Sequence, residues 1–164
     1  MKKLILILLC LPLLTLAQQT YVPDANFENY LEINSMGNGI LNDDSVLTAN
    51  INTVTSLDVS NQKISDLTGI EDFTALTYLA CYYNQLTSLD VSANTALTIL
   101  ECFSNQLTIL DVRSGNNMNF DLFIARENPH LYCIKVDDVA LSTANWTVTN
   151  GNIDTQHYFS ANCK

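Results

Sequence analysis

Four near-identical quartets restrict the fold of this chain more than any other feature: LTYL at 76–79, LTSL at 86–89, LTIL at 97–100 and LTIL at 107–110. They begin 10, 11 and 10 residues apart, so two half-units make one 21-residue coil. In phase with them, Cys81, Val91, Cys102 and Val112 follow each second leucine by two, and Asn84, Asn94 and Asn105 follow it by five. A fixed period of this length marks a solenoid. One coil cannot bury its own apolar face, so at least about three must stack, with atypical units closing the ends.

Each recurring residue has a physical reason to recur. The L-x-C and L-x-V pairs alternate at period two, which points their apolar members inward from a short strand, and successive coils then pair these strands in parallel. The asparagines fall where the chain leaves the strand, and their amides can serve backbone groups that a tight coil would leave unpaired. An imperfect earlier coil reads VTSLDVSNQKISDL from Val54 to Leu67, with Gln62 where the asparagine would stand. A later one reads FDLFIAREN from Phe120 to Asn128, after an insertion around Gly115-Asn116-Asn117. Leu57, Leu79, Leu100 and Phe123 are thereby expected in one inward column.

Met1 to Ala17 stands apart. Lys2-Lys3, the run LILILLCLPLL and then TLA have the three parts of a secretory signal peptide, with cleavage expected after Ala17. The apolar run from Leu4 to Leu14 is shorter than the ~20 residues a spanning helix needs. Leu9 before Cys10 is too large for the usual acylation site, so lipidation is not expected. The 17 acids outnumber the 7 bases, giving a net charge of −10 that becomes −12 without Lys2 and Lys3. Such a chain has no basic face with which to track nucleic-acid phosphates. The product is expected to be secreted or periplasmic, without stable membrane insertion.

The pattern LxxLxLxxNxL, met by LTYLACYYNQL and LTILECFSNQL, resembles the leucine-rich repeat signature. VTSLDVSNQKISDLTGIEDFTAL is similar to internalin-type repeats, and the Cys-Asn-Gln-Leu-Thr variant with the tail NPHLYCIKVDDVALSTANWT resembles secreted bacterial leucine-rich repeat proteins. The resemblance implies an α/β solenoid with a parallel sheet of short strands. It also implies a binding or adhesion module, since such proteins share no active site. Related proteins often carry a C-terminal sorting domain. This chain ends at Cys163-Lys164 after its final cap, so attachment by such a domain is not expected.

Both flanks read as caps, dividing the chain into 1–17 (signal), 18–53 (N-terminal helical cap), 54–128 (coils) and 129–164 (C-terminal cap). Asp24 is placed to start a helix bearing Phe27, Tyr30 and Leu31 on one face, with Gly37 to end it. The last segment carries Cys133, Trp146, Tyr158, Phe159 and Cys163 without a repeat period. Cys81 and Cys102 hold the same inward site one coil apart, where a thiol behaves as a small hydrophobe and parallel side chains disfavour a bridge. Cys133 and Cys163 lie in the cap of an exported protein and are expected to form a disulfide.

Searches for chemistry return little. There is no GxSxG elbow, GxxxxGK loop or HExxH, and the cysteines and two histidines lack zinc spacing, so no metal or cofactor is expected. Asp90 and Asp111 recur one coil apart and read as a solvated ladder of like charges rather than a calcium or acid–base pair; Asn42-Asp43-Asp44 and Asp137-Asp138 lack EF-hand spacing. A non-catalytic recognition module for a protein or glycan ligand is favoured, with a structural envelope spacer as the alternative. Period two around Leu79 and Cys81 sends Tyr78, Ala80 and Tyr82 outward, and around Leu100 and Cys102 it sends Ile99, Glu101 and Phe103 outward. Tyr83 lies at the strand exit. Stacking places Tyr82 beside Phe103 and Tyr78 beside Ile99, in a patch rimmed by Asp58, Glu101 and Arg126. These side chains are the expected partner-binding residues.

Overall fold

The computed structural model describes residues 17–164. The expected leader up to residue 16, with Cys10, lies outside them. In chain order the elements are β1 (Gln19–Tyr21), α1 (Ala25–Ile33), β2 (Ser45–Leu47), α2 (Thr48–Ile51), β3 (Ser56–Asp58), β4 (Tyr78–Ala80), β5 (Ser88–Asp90), β6 (Ile99–Glu101), β7 (Ile109–Asp111), β8 (Leu122–Ile124), β9 (Cys133–Lys135), α3 (Val139–Asn145) and β10 (Tyr158–Ser160). Because each coil contributes two half-units, its strands enter two different sheets. The first has the order β3-β4-β6-β8 and the second β10-β9-β7-β5, both parallel.

The inward column forms as the period requires. Leu57 pairs in register with Leu79, Leu79 with Leu100 and Leu100 with Phe123, and all four are buried. Val59, Cys81, Cys102 and Ala125 make a second buried column two residues on. Cys81 and Cys102 are free thiols, and desolvation pushes both up, Cys102 to about 12, so neither is a thiolate at neutral pH.

The asparagines tie the coils together through their amides. Asn84 Nδ2 donates to the carbonyls of Val59 (2.7 Å) and Cys81 (3.0 Å), while its Oδ1 accepts from the N–H groups of Gln62 and Ile64. Asn105 bridges Cys81 and Cys102 in the same way, and Asn128 bridges Cys102 and Ala125. Asn94 belongs to a separate position on the other half-unit, where Nδ2 reaches the carbonyls of Ile70 and Phe73. Asn84 serves the first coil as Asn105 serves the second and Asn128 the third, whereas Gln62 is exposed and supplies no rung. Its longer side chain folds back to the Ser60 carbonyl instead.

One residue before Gln62, Asn84, Asn105 and Asn128 the backbone is left-handed: Asn61, Tyr83, Ser104 and Glu127 have φ of 56°, 55°, 53° and 59°. This conformation carries an intrinsic cost for non-glycine residues. Inter-coil bonds from Asn61, Tyr83 and Ser104 N–H to the carbonyls of Tyr82, Phe103 and Arg126 hold three of these turns in place.

At the N-terminal end, Asp24 caps α1 by accepting from Asn26 and Phe27 N–H, and its other oxygen accepts from Ser65 and Asp66 N–H, bolting the helix to the first coil. Phe27 and Leu31 are buried, and Phe27 stacks on Phe73 at 6.4 Å. The helix ends before the glycine expected to stop it. Ser35, at φ 63°, takes the left-handed position, with Met36 N–H bonded to Leu31 O and Ser35 N–H to Glu32 O. Gly37 serves packing, since a Cβ there would fall 2.0 Å from the Glu32 carboxyl. The helix is also not alone, because β1 and β2 form an antiparallel ribbon beside it.

At the other end the segment after residue 128, expected as a cap, adds β9 and β10 to the second sheet. Leu131, Ile134 and Val136 repeat the spacing of Leu107, Leu110 and Val112 and are buried like them. The Cys133–Cys163 disulfide joins β9 to the tail. Trp146 stacks on Phe123 at 4.1 Å and closes the core. Asn152 accepts from Ala125 N–H and donates to Phe123 O, which occupies the outer edge of β8 and protects it from further strand pairing.

Candidate functional site

The outward face of the first sheet gathers the six expected partner-binding residues. Tyr78 and Ile99 are register partners, and Ala80 pairs with Glu101. Tyr82 and Phe103 stack almost parallel, with centroids 4.6 Å apart and an angle of 11°. The Arg126 guanidinium continues the row, 5.4 Å from the Phe103 centroid. Tyr83 meets both rings edge-on, at 5.6 and 5.4 Å, and is 57% exposed. Its left-handed backbone turns the ring out of the strand and against its neighbours. Tyr78 donates from its hydroxyl to Glu101 Oε2 at 3.0 Å. Burial pushes its phenol up to about 12, assisted by the carboxylates of Glu101 and Asp58.

One residue departs from the outward reading. Ala80 points away from the core as the alternation demands but is fully buried. Its methyl group lies between Tyr78 and Tyr82 along the chain and between Asp58 and Glu101 across the sheet, and these longer side chains close over it. The floor of the face is therefore small and its walls are aromatic and acidic.

The acids of the second sheet behave differently. Asp90 and Asp111 are register partners, but Asp111 is nearly buried and Arg113 donates to it from Nε (2.9 Å) and Nη2 (2.6 Å). Lys135 Nζ, one coil on, adds a contact at 3.4 Å. The expected ladder of like charges is thus compensated from within. Burial opposes ionisation of Asp111, and the Arg113 contacts outweigh it and hold the carboxyl below its usual range. A carboxyl so lowered adds stability above its unfolded value near ~4 and loses it as pH falls through the folded value. Asp111→Asn is accordingly expected to lower the melting temperature at pH 7 and to differ progressively less from wild type below about pH 4. Melts across that range would check it, and a constant difference would contradict it.

Sequence reasoning missed a second exposed cluster. Ile109, Tyr132 and Tyr158 stand 53–58% exposed around the disulfide, lining a groove of about 340 Å³ with Lys135. The available signal was the Leu131-x-x-Ile134-x-Val136 spacing, which continues the period but lacks the LTxL letters. Among the described residues no three His, Cys, Asp or Glu side chains converge on a metal position. No described helix is long and apolar enough to cross a membrane.

No family model matches the chain. A stretch of 52 residues, 32% of the chain, is 54% identical to Internalin J of Listeria monocytogenes serotype 4b (strain F2365) and spans 6% of that protein. The solved functional domain of InlJ from Listeria monocytogenes, described as including a cysteine ladder, superposes with a TM-score of 0.54 and 27% identity, over 75% of this chain and 36% of that one. The internalin InlF of Listeria monocytogenes strain 4b F2365 superposes with a TM-score of 0.53 and 23% identity, over 74% and 40% of the two chains, a likeness of fold. The chain therefore spans only a fraction of each relative. Its repeated coils and parallel short strands are similar to those solved structures, and the chain has an internalin-like leucine-rich repeat fold.

Proposed function

We propose that this chain is an exported, non-catalytic recognition module that binds a protein or glycan partner on the outward face of its first sheet. Segment 1–17 directs export, 18–53 and 129–164 act as caps, and 54–128 carries the binding surface. Tyr78, Tyr82, Tyr83, Ile99, Glu101 and Phe103 form the contact. The observation that carries the reading is the Tyr82–Phe103 stack with Tyr83 standing exposed against it. Clustered surface aromatics are common at binding hot spots and unusual for a spacer.

Tyr82→Ala and Phe103→Ala test it. Immobilised wild-type protein is expected to capture a partner from cell-envelope or host-surface extracts, and each variant to bind that partner about thirtyfold more weakly, the equivalent of ~2 kcal/mol. Both variants must melt close to wild type. Equal capture by all three proteins would remove this face and favour the envelope-spacer role.

A further inference from the structure

Both backbone groups of Asn128, on the rim of the last regular coil, are held from the C-terminal cap. Its N–H donates to Asp154 Oδ2 at 3.1 Å, and its carbonyl accepts from Gln156 Nε2 at 3.3 Å and faces His157 Nε2 at 3.4 Å. The His157 side chain is fully buried. Asp154 N–H donates to its Nδ1 at 3.3 Å, while Nε2 faces two acceptors, Asn128 O and, at 3.5 Å, Asp154 Oδ2. A donor at one nitrogen and acceptors at the other suit the neutral ring with its proton on Nε2. Asp154 is the charged group that faces the ring, and no other acid lies within ion-pair distance of it among the described residues. On the coil side, Arg126 and Glu127 line the neighbouring groove and contact each other at 3.6 Å. Of the elements around it, α3 carries no charge, β10 has only the exposed Tyr158, and Lys135 of β9 is engaged by Asp111.

We propose that His157 is an acid-operated latch on the C-terminal cap: a proton added at Nδ1 expels the ring and releases segment 147–157 from the rim of the last coil. The added proton meets the Asp154 N–H instead of an acceptor, and the charge it brings has no water around it. Burial accordingly holds the imidazole below its ordinary value of 6.5, outweighing the Asn128 carbonyl and the Asp154 carboxylate, which act the other way. In the released segment the ring is hydrated and charges at its ordinary value. Closure is therefore strongest above about pH 6.5 and weakens as pH falls from there toward the lower folded value. Release takes Asn152 away from Phe123 O and Ala125 N–H, which uncovers the edge of β8 beside the proposed binding face, and it opens the Trp146–Phe123 stack to water. The Cys133–Cys163 bridge keeps the tail on β9, so the opening stays within the cap.

The test takes the protein from pH 8 to about pH 5.5, across the ordinary range of histidine. Trp146 is the single tryptophan, and its emission is expected to shift to the red over that interval. Hydrogen-exchange protection of the Ala125 and Asn128 amides, which the cap holds, is expected to fall at least about threefold, while that of Cys81 and Cys102, held between coils, stays constant. His157→Gln is uncharged throughout and is expected to remove both changes. His130→Gln, at the other and exposed histidine, is expected to keep them. The imidazole resonances of the wild type decide the outcome even where His157→Gln has already lost the cap at pH 8: the midpoint of His157 must coincide with that of the emission change. Charging of His157 with emission and protection unchanged would overturn the proposal. So would a transition that survives in His157→Gln, or a loss of protection that Cys81 and Cys102 share equally.

Discussion

Leu79→Ala is expected to destabilise the protein by about 2 to 5 kcal/mol, because a fully buried leucine loses its transfer energy and leaves a cavity between fixed neighbours. Leu57 and Leu100 are bound to Leu79 by strand register on either side, so neither coil can collapse into the space without breaking its own ladder. The expected cost therefore falls in the upper part of that range. Ser88→Ala, on the outward column of β5, is the matched control and is expected to change stability by less than about 0.5 kcal/mol. Denaturant unfolding of both variants distinguishes them. An unchanged midpoint for Leu79→Ala would contradict the register of the first sheet.

A second large effect is expected at Asn105, where shape can be kept and only the donor removed. Asn105 Nδ2 donates to Cys81 O and Cys102 O, at 3.0 and 3.2 Å, and Oδ1 accepts from Leu86 N–H at 3.1 Å. Asn105→Asp replaces that donor with a carboxylate oxygen facing two buried carbonyls. An uncompensated buried charge costs about 3 to 5 kcal/mol, so the variant should be strongly destabilised at pH 7. Burial and the facing carbonyls raise the pKa of the introduced carboxyl in the folded state. Folding then favours its protonated form, and the deficit relative to wild type shrinks as pH falls through that raised value toward the unfolded value near ~4. Parallel urea titrations at several pH values measure the difference. A deficit independent of pH would mean that Asn105 acts by packing rather than by donating.

Much of the interior is legible in the amino-acid sequence. The inward column Leu57–Leu79–Leu100–Phe123, the rungs Asn84 and Asn105 and the free buried pair Cys81 and Cys102 follow from the 21-residue period, while the Cys133–Cys163 bridge follows from the place of both cysteines outside it, in the cap of a chain with an export-type leader. Inward direction is a local property. Alternation along a strand settles it without knowledge of what lies across the sheet. The adjacency of Tyr82 and Phe103 is legible for the same reason, since equal positions in successive coils must stack.

What the tertiary structure alone decided lies where neighbours come from other coils. Ala80 alternates outward yet is buried, because Asp58 and Glu101 arrive from strands 22 and 21 residues away to close over it. Asp111 reads along the chain as one member of a charge ladder, and only the fold sets Lys135 of the following coil beside it. Gln62 holds the sequence position of a rung, but its side chain is exposed and folds back to the Ser60 carbonyl, so no rung forms there. Ser35 rather than Gly37 ends α1, because the helix terminus satisfies its last carbonyls two residues early. The period determined which side chains face the core. The lateral register of the coils decided which outward side chains meet and which carboxylates find a cation, leaving Asp58 and Glu101 without one among the described residues.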